Sequence, residues 1–92
     1  MLPETPNLRQ DPVTLALAAL AATLGEPKRA QRFLDLTGIG TDELREKAGD
    51  PQLLAALIRF LEAHEPDLIE VAEGIGVRPG DLVEARRSLE GE

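Results

Sequence analysis

Large apolar residues recur at Val13, Leu17, Leu20 and Leu24, a spacing of four, three and four that lines one side of an α-helix. Asp11 before Pro12 reads as a cap and a first helical residue, alanines at 16, 18, 19, 21 and 22 flank the stripe, and Gly25 ends the segment. A second helix opens at Pro27. It turns Ala30, Phe33 and Leu34 or Leu36 inward, places Lys28, Arg29 and Arg32 outward, and stops at Gly38. Thr41 is expected to cap a short third helix, with Asp42 and Glu43 in its first turn and Gly49 closing it. Asp50-Pro51 repeats the cap-then-proline start. The fourth helix carries Leu53, Leu54, Leu57, Ile58, Phe60 and Leu61, a face wide enough to touch several neighbours, and is expected at the centre. Pro66 begins a fifth helix with Leu68, Ile69, Val71 and Ala72 inside. Pro79 begins a sixth, with Leu82, Ala85, Arg86 and Leu89 on one face.

Residues 1–11 contain Pro3 and Pro6 and no helical period, so they read as a flexible arm, with Leu2 and Leu8 to lay along a single helical domain at 12–90. Glycine-isoleucine-glycine occurs twice, at Gly38-Ile39-Gly40 and Gly74-Ile75-Gly76. The first glycine of each, Gly38 and Gly74, is expected in the left-handed conformation that ends a helix, with Ile39 and Ile75 tucked back onto the preceding turn. Gly40, Gly49 and Gly76 complete the set of structural turns. Leu17, Leu20 and Leu24 recur 37 residues later as Leu54, Leu57 and Leu61, the glycine turns 36 residues later, and Leu44 38 residues later as Leu82. This drift leaves open whether the chain is two pseudo-repeated three-helix halves. The fold expected is all-α, a compact bundle of five or six short helices.

The run "RFLDLTG" ending the second helix, then "DELREKAGDP", then "GVRPGDL" before the last helix, resembles a bacterial domain-of-unknown-function family, number three-five-seven-two. The likeness covers nearly everything after the arm. It implies a small all-helical protein and no assigned activity.

Composition agrees with helix: 42% of the 92 residues are hydrophobic, mostly Leu and Ala, and Phe33 and Phe60 are the only aromatics. One domain is the size expected. The absence of cysteine excludes disulfides and thiolate metal sites. The N-terminal stretch has no basic region leading into an apolar core, and the longest apolar run, "LALAALAA", falls well short of the roughly 20 residues that span a bilayer. The expectation is a cytoplasmic, soluble bacterial protein with no membrane association. Net charge is −7, and its acids gather at 41–70, which holds eight acids against three bases. Such a surface repels phosphate backbones and anionic membranes and favours solubility or a basic partner.

Candidate chemistry is sparse. A glycine-bounded turn at a helix start can bring backbone N–H groups to a nucleic-acid phosphate, but Asp42, Glu43 and Asp81 stand where the phosphate must arrive, with Arg78 the one compensating cation. His64 is the only histidine; Glu62, Glu65 and Asp67 nearby read as a solvated helix end rather than an acid–base or metal centre. Ser88, the only serine, lacks a nucleophile-elbow turn, and the glycines form no dinucleotide or P-loop pattern. No catalytic residue, metal or cofactor is implied. Lys28, Arg29 and Arg32 form the one basic patch and a candidate partner-binding surface for an acidic helix or phosphorylated loop. Arg86 is expected at the core edge with its stem buried and its head in water, and both phenylalanines in the core. The function expected is a non-catalytic protein-interaction module with an unknown protein partner. The alternative is a nucleic-acid-binding helical module using the Gly-Ile-Gly turns. Monomer and homodimer are both open, the latter through the alanine-rich first helix.

Overall fold

Proline sets the start of most of this chain's helices, because at the first turn its missing N–H has no partner to lose. The structure, a computed structural model, describes residues 11–91, so the predicted arm lies outside the described residues apart from Asp11. Six helices follow one another: α1 Pro12–Leu24, α2 Pro27–Thr37, α3 Thr41–Glu46, α4 Pro51–Glu62, α5 Glu65–Ile75 and α6 Pro79–Leu89. All but α3 carry a proline in the first two positions. Carboxylates cap three of them: Asp11 accepts from the Val13 N–H, Asp50 from Gln52, and Glu26 from Lys28 and Arg29. The cap of α3 is Gly40, with Thr41 its first helical residue, because Gly40 takes the extended cap conformation. α3 ends at Glu46, three residues before Gly49.

The core forms where α1, α4, α5 and α6 meet, with α6 lying across both α1 and α4. Leu54, Leu57, Ile58 and Leu61 of α4 are fully enclosed, joined by Leu15, Ala16 and Ala19 of α1, Val71 and Ala72 of α5 and Leu82 of α6. α4 therefore shares the centre with α1, which touches α2, α4, α5 and α6. Thr23 is buried among apolar neighbours because its hydroxyl donates to the Ala19 carbonyl at 2.7 Å. Phe33 of α2 meets Phe60 of α4 edge-on, with centroids 5.3 Å apart.

The packed face of α1 differs from its bulkiest stripe. Leu15, Ala16, Ala19 and Thr23 point inward, Leu20 sits at the edge of the core, Val13 and Leu24 are half-buried, and Leu17 is 38% exposed. The reason is crowding: four helices converge on α1, and Ala16 and Ala19, set between Leu15 and Leu20 in the core, admit their close approach. On α2 the inward residue is Leu34, not Leu36, which is 73% exposed, and on α5 Ile69 is largely exposed.

The second Gly-Ile-Gly is not the equivalent of the first. Gly38 has φ 72° and closes α2 with one bond from its N–H to the Leu34 carbonyl. Gly74 lies inside α5, and it is Gly76, φ 78°, that closes that helix, its N–H bonding Glu73 O while the Val77 N–H bonds Ala72 O. Taking Gly76 as the partner of Gly38 brings the two halves to a single shift of 38. Leu15, Ala16, Ala19, Leu20 and Thr23 then fall on Leu53, Leu54, Leu57, Ile58 and Leu61, all buried. The halves do not pack alike, since α6 crosses α1 and α4 whereas α3, with Leu44 its one buried residue, stays at the rim.

Candidate functional site

The basic patch is largely consumed inside the fold. Arg29 is buried rather than outward: its Nε donates to Asp67 Oδ1 at 3.3 Å and an Nη lies 3.3 Å from Glu70. Arg32 donates to the other oxygen of Asp67 while its guanidinium sits 5.4 Å over the Phe60 ring. Of the three cations only Lys28 extends from the surface without an ion pair among the described residues. The driving force is Asp67 itself, whose side chain is 9% exposed and cannot remain charged there without partners. Burial alone would raise its carboxyl, but hydrogen bonds from Arg32 and Arg29, with the charges of Arg32 and His64, outweigh that and hold it below the ordinary aspartate range.

His64 stands at the cap position of α5, with Nδ1 3.0 Å from Asp67 Oδ2, so its ring borders the same arginine cluster. The oxygen it faces is already engaged by Arg32. Ser88 is exposed on α6. No group of three or more His, Asp or Glu side chains is placed to hold a metal among the described residues. At the N-terminus of α6, Asp81 accepts from the Arg78 N–H at 2.9 Å, and the first turn of α3 carries Asp42 and Glu43. Both helix starts next to the glycine turns thus present carboxylates.

A second polar cluster ties α4 to the end of α6. Arg86 bridges Glu62 at 2.6 Å and Glu90 at 2.8 Å, and Arg59 holds the same Glu90. These carboxylates raise the Arg86 pKa further above its already high value. The head of Arg86 is therefore anchored to acids rather than left in water. The adjoining hollow, about 430 Å³ between Gln52, Ala56, Arg59 and Leu89, is walled by that network.

The least occupied surface is apolar. Between α1, α2 and α3 lies a groove of about 390 Å³ formed by Leu20, Leu24, Ala30, Leu34, Leu44 and Ala48, with Thr41 and Arg45 at its mouth. It continues along α1 onto Leu17, 38% exposed, past the half-buried Val13 and Leu24, while Leu20, 5% exposed, belongs to the core and lines the groove from that side. Pro12–Leu24 contains no charged residue, so this face is uncharged along the whole helix. A helix apolar on every side is ordinarily enclosed on every side. Leucine periodicity gives this stripe away in sequence; nothing in sequence says that Leu15, Ala16, Ala19 and Leu20 would take the core and leave Leu17 outside it.

No helix among the described residues is long and apolar enough to cross a membrane. No curated protein and no solved structure is significantly similar to the chain. The six-helix order, the proline starts and the DELREKAGDP segment all fall within one match that spans residues 9–92, and the chain belongs to the family described as protein of unknown function (DUF3572).

Proposed function

We propose that the chain is a non-catalytic protein-interaction module whose docking surface is the uncharged outer stripe of α1 together with the groove between α1, α2 and α3. The observation that carries this reading is the exposure of Leu17 beside an open leucine-lined groove, on a helix with no charged residue. Covering such a surface releases water from apolar area at about 25 cal/mol per Å². The Lys28, Arg29 and Arg32 patch offers less, because Arg29 and Arg32 are engaged by Asp67.

The test compares two exposed leucines. Tagged full-length chain is used to capture partners from bacterial extract as wild type, as Leu17→Glu and as Leu36→Glu. Loss of the captured protein with Leu17→Glu and retention with Leu36→Glu supports the α1 surface. The reverse pattern moves the site to the hollow beside Arg32, Asp35, Leu36 and Phe60.

A further inference from the structure

We infer that the partner at this surface is a second copy of the same chain, with α1 packed antiparallel against α1 about a two-fold axis that passes between Leu17 and Leu20. The inference rests on the docking reading above and names its occupant.

Three observations point to self-pairing. The stripe Val13, Leu17, Leu20, Leu24 is spaced four, three, four, which reads the same in both directions. Two antiparallel copies therefore set the exposed Leu17 over the groove that Leu20, itself 5% exposed, lines in the second copy, and bring the half-buried Val13 beside Leu24, in the alternating spacing of a coiled-coil seam. The surface also carries both halves of a fit: Leu17 stands out as a ridge, and the groove beside Leu20 and Leu24 is the hollow. A two-fold axis places each ridge at the other copy's hollow, as an isologous interface requires. The flanking alanines, Ala18 and Ala21, let the two helices approach closely.

The third observation is charge. Each chain bears −7, so two copies repel, and they repel least where they meet over a face that holds none of that charge, which α1 supplies. The one charged residue lining the groove is Arg45, which has no ion-pair partner among the described residues. Antiparallel pairing brings the Asp11 end of one α1 to the Leu24 end of the other, where Arg45 sits. Asp11 then approaches Arg45 at each end of the seam, where the neighbouring Glu26 carboxylate is already engaged in capping α2.

Sedimentation equilibrium of the full chain, from micromolar to high micromolar concentration, should show a mass rising from 9.9 kDa towards twice that value. Leu17→Glu places two carboxylates beside the axis and should weaken association at least about 100-fold, with helix content by circular dichroism unchanged. Should that variant fail to fold, Leu17→Ser gives the same reading without a charge. The chain has no cysteine, so orientation can be read by mixing Val13→Cys chains with Leu24→Cys chains, both positions half-buried, under mild oxidation and identifying the disulfides by mass. Antiparallel pairing gives the mixed 13-to-24 disulfide in excess. Predominant 13-to-13 and 24-to-24 products overturn the arrangement, as does a dimer indifferent to Leu17→Glu. A monomer at every concentration overturns the second-copy inference; the docking reading survives it only if Leu17→Glu still abolishes capture of a foreign protein, and falls with it if capture is unchanged.

Discussion

Asp67 is where this fold takes its largest electrostatic risk. A carboxylate with a 9% exposed side chain is tolerated because Arg29, itself more deeply buried, donates to one oxygen and Arg32 to the other. Substituting Asp67→Asn removes the charge that Arg29 was buried to meet and leaves it only the exposed Glu70. The expected loss is about 3 kcal/mol, read from urea unfolding followed by circular dichroism at neutral pH. The pH dependence has a definite sign. The folded-state pKa of Asp67 is depressed below its ordinary 3.8, so its contribution to stability is fully present above that value and is lost as pH falls through the lower folded value. Wild type and Asp67→Asn should therefore converge as the pH falls below about 4, since protonated Asp67 resembles asparagine. A stability difference that stayed constant down to pH 3 would show that the pair is not what Asp67 contributes.

At the scale of the helix, the two Gly-Ile-Gly turns make opposite predictions for one substitution. Gly38 sits at φ 72°, so Gly38→Ala forces a left-handed alanine and should destabilise by about 1 kcal/mol although a Cβ there would meet no other atom. Gly74 is in the last turn of α5, with helical backbone and equally open space around it, so Gly74→Ala should stabilise by up to about 0.5 kcal/mol. Gly76→Ala should behave like Gly38→Ala. Thermal melts of the three variants check all of this in one series. The same turns show where sequence reading stops. Helix starts are legible because Asp11-Pro12, Pro27 and Asp50-Pro51 are local signals whose chemistry needs no tertiary partner. The assignment of Gly74 over Gly76 failed because the end of α5 depends on which residues dock: Val77, not Ile75, is the buried residue that closes the turn. One signal was available, the shift of 38 from Leu44 to Leu82, which Gly38 and Gly76 share. Arg29 had no such signal, since its partner lies 38 residues away and helical periodicity places it beside Lys28 and Arg32. The candidate surface is half legible: the stripe stands in the sequence, but the exposure of Leu17 follows only from Leu15, Ala16, Ala19 and Leu20 taking the core.

For the molecule as a whole, charge and apolar surface are segregated, and that gives association a characteristic dependence on salt. The acids crowd residues 41–70 and the uncharged face lies on α1, so two chains that meet through α1 still feel the repulsion of −7 against −7 from the surrounding surface. Added salt shortens the range of that repulsion, from about 30 Å at 0.01 M to about 8 Å at 0.15 M. It leaves the apolar contact itself intact. Self-association should therefore tighten as sodium chloride rises from 10 to 150 mM, by about 3-fold or more, with the Asp11–Arg45 approach offsetting only part of the gain because it is screened as well. A complex held by phosphate contacts would behave oppositely, loosening steeply over the same range as counterions compete. Repeating sedimentation equilibrium across that salt series, once with the chain alone and once with an added duplex oligonucleotide, separates the two: tightening of the chain alone is expected, and a complex that forms at low salt and dissolves at high salt would place the recognition surface at the glycine turns instead of on α1.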